Sequence, residues 1–97
     1  MPITVTTVQT RPDATAPFWG FNQATSEYLQ TTFRATGKVL DSSLTDSQDG
    51  LTRTIVRTFA DRPAFLQWKA DPVRIEATTG RGAYETTHQH TRTDTIV

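Results

Sequence analysis

The stretch from Leu51 to Trp68 carries two periodicities in succession. Leu51, Ile55 and Phe59 share one face of a strand with Arg53 and Arg57, while Val56 stands among Thr52, Thr54 and Thr58 on the other. From Ala60 onward the apolar residues take helical spacing, and Phe65, Leu66 and Trp68, flanked by Lys69, form the expected buried side. Asp61 stands where an N-cap side chain accepts from a free backbone N–H, and Pro63 fits a first helical turn. Asp71-Pro72 ends the run. A strand therefore feeds directly into a helix.

The flanking chain follows the same two periods. Residues 2–10 alternate, with Ile3 and Val5 on one face and Thr4, Thr6 and Val8 on the other, until Pro12 breaks the ladder. From Pro17, residues Phe18, Phe21, Tyr28, Leu29 and Phe33 fall mostly on one helical face, and Gly37 suits the position just past a helix end. Gly20 and several Thr weaken this helix, so its first turn is open to being loop. Lys38–Thr45 reads as a strand, and the polar segment 46–50, ending in Asp-Gly, reads as the tip of a hairpin to the strand at Leu51–Phe59. Beyond Pro72, the spacing of Val73, Ala77, Gly80 and Tyr84 predicts a second helical run that ends at His88-Gln89-His90. Thr91–Val97 alternates again and forms the last strand.

Strand, helix, strand, strand, helix, strand is the order of the ferredoxin-like α+β fold, βαββαβ, with a four-stranded antiparallel sheet and both helices on one face. With 97 residues the chain forms a single domain over 1–97. Its apolar fraction of 35% predicts a thin core, and apolar residues appear on both faces of the strands, so a second copy is expected to cover the open face. The expected assembly is a homodimer formed through the sheet. Thr is the one excess, at twenty residues, and it suits pleated sheet.

Ten Lys and Arg balance ten Asp and Glu, so no basic stripe is available to follow a phosphate backbone, and nucleic acid is not an expected partner. The absence of cysteine removes thiolate, disulfide and zinc-finger chemistry. No window has the roughly 20 apolar residues of a membrane span, and no secretory signal is seen at the start, so a cytoplasmic protein without membrane partners is expected.

Over residues 57–72, Arg-Thr-Phe-Ala-Asp-Arg-Pro-Ala-Phe-Leu-Gln-Trp-Lys-Ala-Asp-Pro, a strand ends in Phe and a short helix carries Phe and Trp before an Asp-Pro break. In this stretch, and in strand order over nearly the whole length, the chain resembles the dimeric α+β barrel proteins, including antibiotic-biosynthesis-monooxygenase-like and stress-responsive barrel domains. It is also similar to small proteins from marine phage and environmental sequence. The first resemblance implies a polar cavity between helices and sheet. Haem-degrading members of that group combine an Asn, a Trp and a His. Only Trp68 has a counterpart here, so that triad is not carried over and no cofactor is expected.

Five residues stand out as candidate ligand contacts. Arg53 and Arg57 place two guanidinium groups on one strand face, suited to a carboxylate or phosphate, although Asp41 and Asp94 are available to pair them instead. Trp68 and Tyr84 sit at apolar helical positions that core packing also explains, and His88 has a second imidazole, His90, two residues on, without a third ligand to suggest a metal. The cluster Phe18-Trp19-Gly20-Phe21 suits either a ligand entrance or a cap on the core. Three functional readings follow: a homodimeric small-molecule-binding or accessory protein, a cofactor-independent monooxygenase-like enzyme acting on a small aromatic substrate, or a phage-associated structural or host-modulating protein.

Overall fold

The alternating segments form four strands, β1 (Ile3–Thr10), β2 (Val39–Asp46), β3 (Thr52–Phe59) and β4 (Thr91–Ile96). In the computed structural model, which describes all 97 residues, they make one antiparallel sheet in the order β2-β3-β1-β4. This is the ferredoxin-like arrangement expected from the order of elements. No helix is long and apolar enough to cross a membrane.

Helix α1 (Gln23–Leu29) begins six residues later than the periodicity from Pro17 predicts, because Asn22 provides the cap: its side chain accepts from the Thr25 N–H at 2.8 Å. Residues 11–22 therefore form a loop that carries Phe18, Trp19 and Phe21. The end of α1 widens into a π-helical turn, Gln30–Arg34, closed by the Ala35 N–H donating to the Gln30 carbonyl, and Gly37 follows with a φ of 79°.

Helix α2 (Arg62–Ala70) starts as expected, with Asp61 accepting from the Ala64 N–H at 2.9 Å. Its buried side is Ala64 and Trp68, with Phe65 half-buried; Leu66, expected inside, is 53% exposed. Ala64 and Trp68 lie one turn apart, and the small side chain allows the close approach that Leu66 would not. The single run expected from Pro72 to His88 is two helices, α3 (Pro72–Ala77) and α4 (Arg81–His88), divided where Gly80 adopts a φ of 86°. Val73, read as part of a buried stripe, is exposed.

Asp71 connects three elements. It ends α2 in the extended conformation imposed by the following proline, caps α3 by accepting from the Arg74 N–H at 3.0 Å, and accepts from the Tyr28 hydroxyl at 2.9 Å. Because Asp71 is buried, Asp71→Ala uncaps α3 and strands the Tyr28 hydroxyl, and a loss of about 2 kcal/mol is expected in urea unfolding. Asp71→Asn, which keeps an acceptor, should lose less.

Only 12 of the 97 residues are buried, so the thin core expected from composition is present. Leu29, Phe33, Val39, Phe59, Ala64 and Trp68 form it, at the end of the sheet where Ile3, Phe59 and Val39 are paired across β1, β3 and β2. The opposite face differs from expectation. In the two central strands it presents Thr4, Thr6 and Thr10 beside Thr58, Val56 and Thr52, with Val8 beside Thr54, so it is a threonine surface with two valines and not a second apolar face. Thr4 and Thr58 hydroxyls join across it at 3.4 Å.

The β2–β3 hairpin is held by polar contacts at its tip. Arg53 donates to both Asp46 oxygens at 2.8 and 3.2 Å, while Asp49 accepts from the Ser47 hydroxyl and the Leu51 N–H. The Arg53 hydrogen bond holds the Asp46 carboxyl below its ordinary value of 3.8, and the Ser47 hydroxyl does the same for Asp49. Carboxyls lowered on folding stabilise the fold fully above their unfolded value and lose that contribution as pH falls through the folded one. Amide exchange protection at Thr52 and Leu51 should therefore drop in the acid range below the ordinary carboxyl value of 3.8, ahead of the central β1 amides. Equal loss along the whole sheet would contradict this.

Candidate functional site

The helices and the loop 11–22 stand off from the sheet beyond the core, and a cavity of about 500 Å³ lies between them. That volume suits a small organic molecule. Its apolar wall is Trp19, Phe21, Phe59, Phe65 and Trp68, with Val5 and Ile55 on the sheet. Six cationic side chains, Arg53, Arg57, Lys69, Arg74, Arg81 and Arg92, line it as well, against a single carboxylate, Asp94. Six of the ten cationic side chains of a formally neutral protein thus converge on one cavity.

Strand register explains half of this set. Arg57 pairs with Val5, and Arg53 and Arg92 flank Gln9, so β3 and β4, on either side of β1, bring three guanidinium groups to the helix side of the sheet. Arg74 comes from α3 and Arg81 from the start of α4.

The cations fall into two groups. Arg53 is paired with Asp46, and Arg92 donates to the buried Glu85 at 3.1 Å and lies 3.6 Å from Asp94. Asp41, the partner anticipated for the strand arginines, lies instead 3.9 Å from Arg34. Arg57, Arg74 and Arg81 form no ion pair. Arg57 and Arg74 face the Trp68 ring, with guanidinium carbons 5.0 and 5.7 Å from its centre. Burial, with Arg74 adding like charge and Asp94 only partly offsetting it, pushes the Arg57 guanidinium down to about 10. Burial lowers Arg74 and Arg81 as well, reinforced by Arg81 and Arg92 respectively.

Three buried side-chain polar atoms have no partner in the protein: Gln9 Oε1, Trp19 Nε1 and Arg74 Nε. All three belong to residues that line this cavity. Buried polar groups are almost always satisfied, so their concentration here marks a place built to meet something else.

Of the residues expected from sequence, Arg53, Arg57 and Trp68 meet at the cavity, while Tyr84 and His88 do not line it. Tyr84 donates its hydroxyl to the Pro17 carbonyl and packs against Trp19 at 5.3 Å between ring centres, and His88 lies tilted against Tyr84 at 4.4 Å. They fasten α4 to the loop that carries Trp19. The aromatic cluster before α1 supplies Trp19 and Phe21 to the lining. Sequence reasoning missed Arg74, Arg81, Arg92 and Gln9. One local signal was present for the first two: they are seven residues apart, two helical turns, within the run read as a single helix.

No family model matches the sequence, and no curated protein matches it by sequence. Solved structures do match in fold. Rv0793 from Mycobacterium tuberculosis superposes with a TM-score of 0.68 at 19% identity, covering 100% of this chain and 93% of that one. SnoaB from Streptomyces nogalater, a cofactor-independent oxygenase, gives 0.66 at 16% identity over 99% of this chain and 90% of its own. A candidate antibiotic biosynthesis monooxygenase from Caulobacter crescentus gives 0.63 at 14% identity, covering 98% and 87%. The chain has the ferredoxin-like fold of the antibiotic-biosynthesis-monooxygenase-like proteins.

Proposed function

We propose that the protein binds a small, planar, partly aromatic molecule in the cavity between helices and sheet, and that it does so as a homodimer paired through the threonine face. The observation that carries the reading is the gathering of every unpartnered buried polar atom around one aromatic-walled cavity. Calorimetric titration with 2-naphthol tests it: saturable binding that is weakened by Trp68→Leu supports the reading, and no heat of binding contradicts it.

Cofactor-independent oxygenation is the second reading, and the fold likeness to SnoaB favours it. Oxygen uptake with anthrone is the corresponding test, since that substrate and O₂ give anthraquinone and water without a cofactor. Uptake above the spontaneous rate supports an enzyme, and its absence alongside 2-naphthol binding supports a binding protein.

The dimer rests on the open threonine face, where Val8 and Val56 stand near the centre. Light scattering at micromolar concentration should give twice the chain mass of 10.8 kDa, and Val56→Asp should return it to one chain by burying an unpaired charge. A wild-type mass of one chain would contradict this.

A further inference from the structure

We propose that the ligand carries an oxyanion, a carboxylate or a phosphate monoester, on its planar ring, and that Arg57 and Arg74 hold this group beside the Trp68 ring. The inference rests on the cavity being a ligand site and adds the chemical class of what enters it.

Packing alone does not account for the charges. A guanidinium lying on Trp68 needs no anion if it is solvated at its edge, and Arg57 by itself is explained that way. Two guanidinium groups over the same ring, with Arg81 as a third unpaired cation in the same lining, are not, because each raises the energy of the others in a poorly solvated space. The protein's other cavity arginines show the alternative. Arg53 and Arg92 are supplied with Asp46 and Glu85 in direct ion pairs, whereas no acid comes within ion-pair distance of Arg57 or Arg74, which feel Asp94, and for Arg74 also Asp71, only at longer range. Asp94 cannot serve as the missing counter-ion for all of them, since its carboxylate already accepts from the Thr7 hydroxyl at 2.6 Å and lies 3.6 Å from Arg92.

Two of the three unpartnered atoms are donors, and the third, Gln9 Oε1, is an acceptor that would meet a hydroxyl or N–H of the ligand. The donors, Arg74 Nε and Trp19 Nε1, call for acceptor oxygens. An oxyanion provides several acceptor lone pairs in one group, and a guanidinium fork meets a carboxylate or phosphate through two parallel hydrogen bonds. The aromatic wall of Trp19, Phe21, Phe59 and Phe65 in the same lining suits a flat ring attached to that group. The space of about 500 Å³ restricts the anion to a small molecule, in keeping with the balance of ten cations and ten anions over the whole chain.

The test compares 2-naphthol, 2-naphthoate and 2-naphthyl phosphate by calorimetry at fixed ionic strength, on wild type, Arg57→Met and Arg74→Met, with circular dichroism to establish folding of each variant. Charge-assisted hydrogen bonds predict that one or both anions bind wild type at least about tenfold more tightly than 2-naphthol, the tighter one identifying the oxyanion. In each variant the anion-to-naphthol affinity ratio should fall to within about threefold of parity. Equal binding of all three probes to wild type, or an anion preference that survives in both folded variants, overturns the inference and leaves the pocket intact. Failure of all three probes overturns the pocket reading itself, and this inference with it.

Discussion

Phe59→Ala should lower the unfolding free energy by about 3–5 kcal/mol, enough to bring a small domain close to unfolding at room temperature. Phe59 is 1% exposed, the most deeply buried large side chain in the protein, and its ring sits edge-on to Phe65 at 5.3 Å and Trp68 at 5.7 Å. It stands at the end of β3, opposite Ile3 of β1 and Val39 of β2, so it links three strands to α2. A core with so few buried residues has little capacity to close the gap left behind. Phe59 also forms part of the cavity wall, and ligand affinity should fall with stability. Urea unfolding checks the first effect, and a loss below about 1 kcal/mol would mean that the core lies elsewhere.

Arg57→Met should act in two opposite directions: the unliganded protein becomes more stable while anionic ligands bind about 10- to 100-fold more weakly. The Arg57 guanidinium is pushed down to about 10, chiefly by burial. A base lowered on folding opposes folding in its charged form, at full strength below the folded value and progressively less between the folded and unfolded values. That opposition is on the order of 3 kcal/mol at neutral pH, and the guanidinium recovers part of it by resting on Trp68, an interaction of roughly 1–2 kcal/mol. Met keeps apolar contact with the indole and removes the charge, so a net gain of about 1–2 kcal/mol is expected in urea unfolding. The gain should be equal at about pH 7 and about pH 8.5, since both lie below the folded value. A destabilised Arg57→Met variant would indicate that the guanidinium serves packing and not a ligand.

The contrast between these two residues reflects what was legible in the sequence. Phe59 and its strand could be recognised from alternation, the cap at Asp61 from its place before Pro63, and the break at Asp71-Pro72 from the proline, because these signals depend on neighbours a few residues away, whereas the capping of the next helix by Asp71 was not read. The division of α3 from α4 was hidden: Val73, Ala77 and Tyr84 keep helical spacing across a glycine that breaks it. Leu66 outranked Ala64 by size, although the interior selects for fit as well as hydrophobicity. Arg53 and Arg57 were visible as a pair on one strand face. Their partners were not, because Arg92 reaches them by the register of β4 on β1, and Arg74 and Arg81 by the packing of two short helices. Arginines supplied by four separate elements leave no contiguous motif. The pairing of Arg53 with Asp46 instead of Asp41 likewise follows from the register of the hairpin.

The central claim is that this cavity, with its aromatic wall and unpaired arginines, is where a planar anion binds. It is tested most directly by chemical-shift mapping of the ¹⁵N-labelled protein titrated with 2-naphthoate. Binding in the cavity should give the largest shifts at the indole N–H groups of Trp19 and Trp68 and at the Nε–H groups of Arg57 and Arg74, with the amides of the threonine face unmoved. Saturable binding that leaves both indoles and both arginines unshifted would contradict it.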